Sequence, residues 1–140
     1  MPDETPDRRP SILVVEDDEG LNRLICRRLA QAGFDVRGVF TGAQALASVR
    51  SAAEDSRPFE LLLLDYLLPD TNARELFLRL KEQDRLIPFI VMTGHGDERI
   101  AVEMMRLGAQ DYVTKEVNFI DLLLEVVNRV LRELEVRQNL

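Results

Sequence analysis

The chain has 140 residues, 46% of them hydrophobic, which suits one compact domain with an ordinary core. Its formal net charge is −7 and its pI is near 4.8, a balance that disfavours non-specific binding to nucleic acid or anionic membrane. The single cysteine excludes an intrachain disulfide, and no apolar run reaches the roughly 20 residues needed to span a bilayer.

Residues 1–10 (MPDETPDRRP) are polar and proline-rich without the apolar stretch of a signal peptide, and they read as a disordered lead-in. Residues 12–15 are a solid, mostly β-branched run followed at once by acids, the pattern of a strand buried on both faces. Leu21, Leu24, Ile25 and Leu29 then recur at helical spacing, and Gly33 supplies a stop. Cys26 falls inside this helix and reads as a small core or near-core residue, a usage that suits a reducing cytosol. Residues 34–40 form the second predicted strand. Thr41 can cap a helix that carries Ala45, Leu46 and Val49, and residues 51–58 follow as a polar loop.

Residues 61–64 are the third strand, ending on Asp65, and Pro69 breaks the chain after it. Asn72 and Glu75 have N-cap spacing ahead of Leu76, Phe77 and Leu80. Pro88 opens a fourth strand over residues 89–92. Asp97 is the expected cap of a helix through Met104, Met105 and Leu107, closed by Gly108. Residues 111–114 are a short fifth strand, and the pattern from Val117 to about Gln138 is helical. Five alternating strands and helices predict an α/β fold with a parallel sheet between two helical layers. The match is to a flavodoxin-like three-layer sandwich with five helices and strand order 2-1-3-4-5.

In such a sheet the carboxyl ends of the strands share one edge, where ligands bind. Past the first strand stand Glu16, Asp17 and Asp18; past the third, Asp65; past the fourth, Thr93 and Gly94; past the fifth, Lys115. Clustered carboxylates repel one another, and a hard divalent cation such as Mg²⁺ relieves the repulsion. A carboxylate can also act as the nucleophile that receives a phosphoryl group, whose peripheral oxygens are stabilised by metal, ammonium and hydroxyl donors. Lys115 is one of only two lysines among 18 basic residues, which hints at a point-charge role that arginine would not fill.

These strings together resemble a response-regulator receiver domain over roughly residues 10–132. ILVVEDDEG resembles the family's first strand and acid pair, LLLLDYLLPD its phosphoacceptor strand, IVMTGHGD the strand with the hydroxyl, and GAQDYVTK the segment with the switch aromatic and the lysine. The resemblance implies that Asp65 is the phosphoacceptor and that Mg²⁺ is held by Asp17 directly, by Glu16 mostly through water, by Asp65, and by the backbone carbonyl of Leu67. It implies that Lys115 pairs with Asp65 and later with the phosphoryl group, that Thr93 donates its hydroxyl, and that Gly94 leaves room for the donor. Tyr112 would be the aromatic whose rotamer follows Thr93. Asp18 has no role in that pattern and reads as a solvated acid, and His95 reads as a loop residue at the rim of the site.

The implied partners are a histidine kinase or phosphotransfer protein as donor and an unspecified downstream protein, with no nucleic acid and no membrane insertion. A homodimer through the fourth helix, fifth strand and fifth helix, or through the C-terminal helix, is a further candidate. The expected location is the cytoplasm. The expected organisation is a lead-in over 1–10, a receiver over 11–132 and a helical extension or linker over 133–140. The long tail also resembles receivers at the front of larger sensor-kinase chains.

Two departures from the family pattern stand out. Proline usually follows the lysine, often with a cis bond, but here Glu116 follows. A cis bond without proline costs about 2.5–4 kcal/mol, so the expectation is a trans bond with a reshaped loop or a strained cis bond. The usual glycine before the third helix is also missing, and residues 71–73 (TNA) stand there. Two rival functions remain: a pseudo-receiver that works only as an interaction module, and an aspartyl-nucleophile phosphatase. Phosphatases of that kind place a second acid two residues after the nucleophile, where this chain has Leu67.

Overall fold

The computed structural model describes residues 9–138. The expected lead-in, apart from Arg9 and Pro10, lies outside the described residues, as do the last two residues of the expected extension. The elements in chain order are β1 (Ser11–Val15), α1 (Glu19–Gln31), β2 (Asp35–Val39), α2 (Gly42–Glu54) and β3 (Leu61–Asp65). They continue with α3 (Ala73–Glu82), β4 (Phe89–Thr93), α4 (Glu98–Leu107), β5 (Asp111–Thr114) and α5 (Phe119–Gln138). The five strands pair in parallel in the order β2-β1-β3-β4-β5. The architecture is thus the flavodoxin-like sandwich that the sequence predicted.

The strands are apolar on both faces because helices cover both. Alternate residues sort cleanly. Leu13, Val15, Leu62, Leu64 and Val91 join Ala45 and Val49 of α2, Leu76 and Leu80 of α3 and Met104 of α4 in one core. Ile12, Val14, Leu61, Leu63, Ile90 and Met92 join Ile25 and Leu29 of α1 and Leu123, Val127 and Val130 of α5 in the other. On α5, Leu131 and Leu134 still pack against this second core, while Val136 is exposed, so the helix follows the sheet to about its last turn.

Side-chain caps set the starts of α1, α2 and α3. Thr41 Oγ1 accepts from the Gln44 N–H at 3.1 Å and Asn72 Oδ1 from the Glu75 N–H at 2.9 Å, as predicted. Asp97 corrects an expectation. It stands at the N-cap of α4 but makes no side-chain cap bond, because its backbone (φ −96°, ψ 41°) lacks the extended conformation that capping needs. Asp18 corrects another: its Oδ1 accepts from the Leu21 N–H at 2.9 Å, so this acid caps α1 rather than merely meeting solvent. Gly108 ends α4 with φ +121°, a conformation that a residue with a Cβ adopts only under strain.

Candidate functional site

The apolar strand β3 carries Asp65 as its last residue and leaves it only 9% exposed. At the neighbouring end of β1, Glu16 is 1% exposed while Asp17 faces solvent. Glu16 is positioned by its backbone as much as by its place in sequence. Its N–H donates to the Val39 carbonyl at 3.1 Å. Its carbonyl accepts from Asn22 Nδ2 at 2.9 Å, and the same amide nitrogen donates to the Val39 carbonyl at 2.9 Å. Asn22, 3% exposed, thereby ties α1 to the ends of β1 and β2. The Glu16 carboxylate is held through Oε2, which accepts from the Asp18 N–H at 3.0 Å.

Lys115 closes the site from the other side. Its Nζ lies 2.7 Å from Glu16 Oε1 and 3.2 Å from Asp65 Oδ1. The expected partner was Asp65; Glu16 is the nearer of the two. The Lys115 N–H donates to the Thr93 carbonyl at 2.8 Å, which docks the turn after β5 on the end of β4. Thr93 itself is buried.

The charges are unequal. Burial, and next the neighbouring Glu16, push the Asp65 carboxyl up from its ordinary 3.8 to about 7, with Lys115 only partly opposing them. Burial by itself pulls the Lys115 ammonium down, but Glu16 and Asp65 outweigh it and hold that pKa above the ordinary value. Carboxylate oxygens of Glu16, Asp17 and Asp65 lie within 4.8 Å of one another. Glu16 Oε1 is buried, and the Lys115 ammonium is its charge-assisted partner. Three carboxylates gathered around a single ammonium offer hard oxygen donors in excess of the one positive charge, a donor set that fits a divalent cation.

The strand ends thus bring together Glu16, Asp17, Asp65, Thr93 and Lys115. Gly94 follows directly on β4, and a Cβ there would stand 3.1 Å from Asp97 Oδ2. Leu67 lies beyond the strand end, its side chain 67% exposed and its backbone bridged to Asn72. Tyr112, on β5, is turned outward. His95 stands at the rim as expected and meets Glu116, Nδ1 to Oε2, at 3.0 Å. There is no cis peptide bond among the described residues, so the Lys115–Glu116 bond is trans.

The loop without the family glycine is secured by Asp70, a residue to which the sequence reading gave no role. Its carboxylate accepts from the N–H groups of Gly42 and Ala43 at 2.8 and 2.9 Å, and these two bonds hold its pKa below the ordinary range. Thr71 packs so close to Gly42 that a Cβ on Gly42 would come within 2.3 Å of its methyl group. Asn22 was also missed. Its signal was available: a polar residue on the buried stripe with Ile25 and Leu29.

The family described as "Response regulator receiver domain" matches over residues 12–127. The phosphate regulon transcriptional regulatory protein PhoB of Rhizobium meliloti (strain 1021) is 34% identical over 119 residues, which is 84% of this chain and 50% of that protein. The transcriptional regulatory protein FixJ of Bradyrhizobium diazoefficiens is 34% identical over 124 residues, covering 89% of this chain and 58% of FixJ. The chain spans about half the length of the curated relatives it matches. Among solved structures, the receiver domain of NtrX from Brucella abortus superposes with a TM-score of 0.74 at 31% identity, over 86% of this chain and 98% of that one. The carboxylates gathered at the sheet edge therefore sit on a family scaffold as well as on a fold: the chain belongs to the response-regulator receiver domains, signalling domains of two-component systems.

Proposed function

We propose that Asp65 accepts a phosphoryl group from a phosphohistidine donor, carried by a histidine kinase or a phosphotransfer protein, in the cytoplasm. The observation that carries this reading is the buried Asp65 carboxylate, 3.2 Å from the Lys115 ammonium and beside two further acids. Mg²⁺ would be held by Glu16, Asp17, Asp65 and the backbone carbonyl of Leu67. When bound, the ion neutralises the carboxylates and the charge on the transferred group.

An Asp65 carboxylate oxygen attacks phosphorus, the N–P bond breaks, and its electron pair leaves with the imidazole nitrogen. An acyl phosphate results. Lys115 follows the negative charge outward from the carboxylates to a phosphoryl oxygen. Thr93 donates its hydroxyl to another, and Gly94 presents no side chain to the incoming donor. Hydrolysis later returns the carboxylate and inorganic phosphate. Thr93 drawn toward the phosphoryl group leaves space behind it, and Tyr112, now exposed, turns in to fill it. The face formed by α4, β5 and α5 changes accordingly and binds a downstream protein or a second copy of this chain.

Incubation with acetyl phosphate and Mg²⁺ should label the wild type and spare Asp65→Asn; equal labelling of the two refutes the assignment. Glu116 in the proline position favours a second reading, an interaction module without phosphorylation, and failure of Mg²⁺ to bind would support it. A phosphatase is disfavoured because Leu67, where the general acid would stand, is an exposed hydrocarbon.

A further inference from the structure

The turn that presents Lys115 lacks the family's proline, yet the ammonium is well placed. Its backbone bond to Thr93 is one reason. A second contact lies further out. Thr93 and Thr114 are register partners on the neighbouring strands β4 and β5. His95 and Glu116 each stand two residues beyond that pair, so the two departing loops run side by side and bring these side chains together. The Nδ1···Oε2 distance is 3.0 Å.

Glu116 is well placed to pass this restraint on. Its N–H donates to the Thr114 carbonyl at 2.9 Å, and its own carbonyl accepts from the N–H of Phe119, the first residue of α5, at 3.0 Å. One peptide bond separates it from Lys115. Among the described residues no lysine or arginine pairs with its carboxylate, so His95 is its side-chain hydrogen-bond partner. On the other loop, one residue, Gly94, separates His95 from Thr93 and its hydroxyl. The contact therefore spans the two loops that carry the ammonium and the hydroxyl.

We propose that His95 and Glu116 form a side-chain clasp that holds the Lys115 loop against the Thr93 loop and so positions the ammonium for phosphoryl transfer to Asp65. Both are positioning residues, acting through Lys115 without touching the transferred group. The inference rests on the phosphoacceptor reading of Asp65. Both side chains are largely exposed, so the effect is modest, and its mark is interdependence rather than size.

The test is the rate of Asp65 labelling by acetyl phosphate with saturating Mg²⁺, measured across donor concentrations. His95→Ala and Glu116→Ala should each lower the saturating rate about threefold, as loss of an exposed side-chain contact allows. The double variant should be no slower than either single one. His95→Asn, whose amide nitrogen falls close to the place of Nδ1, should restore the wild-type rate. The half-saturating donor concentration and the Tm should stay at wild-type values. Singles at the wild-type rate, a double variant slowed by the product of the two, or His95→Asn no faster than His95→Ala would each overturn the clasp. A wild type that takes no label at all removes the phosphoacceptor reading, and the clasp with it; a labelled wild type with unaffected variants removes the clasp alone.

Discussion

The two halves of the site are built on different principles. On the β1–β3 side, Glu16 is fixed by three backbone or amide contacts, with Val39, Asn22 and Asp18 as partners, and the buried Asn22 is itself tied to Val39. On the β4–β5 side, the loop that carries Lys115 has one backbone bond to Thr93 and an exposed contact between His95 and Glu116, while the ammonium reaches across to Glu16 and Asp65. Buried polar networks are costly to disturb, whereas exposed contacts open and close at small cost. The phosphoryl transfer proposed for Asp65, in which the carboxylates stay in place while the hydroxyl and ammonium follow the incoming charge, is suited by this division.

The comparison breaks most readily at Asn22. Asn22→Ala removes the donor to the Glu16 carbonyl and leaves that buried group unsatisfied, so a loss of about 2 kcal/mol in unfolding free energy is expected. Denaturant melts with and without Mg²⁺ would read it, and Mg²⁺ should rescue less than in the wild type because Glu16 has lost its anchor. Stability within about 0.5 kcal/mol of wild type would show that the β1–β3 side is no more rigid than the β4–β5 side.

The raised Asp65 pKa gives the next largest effect. Between about pH 4 and 7 the folded chain holds a proton there that the unfolded chain has released. That contribution is complete below pH 4 and is lost as the pH rises through 7. The rise from 3.8 to about 7 sets a ceiling of about 4 kcal/mol, and relaxation of the site and solvent at its mouth bring the expectation nearer to 2. In Mg²⁺-free buffer, stability should fall from pH 5 to pH 8 more steeply for wild type than for Asp65→Asn. Parallel curves would show that the carboxyl is not under charge stress.

A smaller effect is expected at Asp70, which caps α2 from a distant loop. Asp70→Ala should cost about 1 kcal/mol, the ordinary worth of a helix cap, and should loosen the loop after Asp65. Because its folded pKa is depressed, this contribution is present above about pH 4 and is lost as the solution becomes more acidic. Hydrogen exchange at the Gly42 and Ala43 amides would follow it directly. The smallest effect calibrates the exposed contact on the β4–β5 side. Arg28 and Asp121 form an exposed pair, 2.9 Å apart, away from both loops of the clasp. Arg28→Ala should shift stability by less than about 0.5 kcal/mol and leave the labelling rate unchanged. A change in that rate would mean that exposed pairs act on the site without spanning its loops.

The amino-acid order alone determined the βα alternation, the strand runs and the chemical set of Glu16, Asp17, Asp65, Thr93 and Lys115. It could do so because hydrophobic period is local, and because a parallel sheet delivers every strand end to one edge whatever the loops do. Other features depended on partners distant in the chain. Asn22 anchors Glu16 only because α1 lies against the ends of β1 and β2. Asp70 became a cap through Gly42 and Ala43, about 28 residues upstream. Asp97 failed as a cap because of a backbone angle that no residue pattern announces. Whether Lys115 could be held without proline was likewise undecided by the string VTKE. The register of β4 on β5 bears on it, by setting the Lys115 N–H on the Thr93 carbonyl and His95 opposite Glu116: hydrogen bonds across loops are fixed by three-dimensional adjacency, and only the folded sheet supplies that.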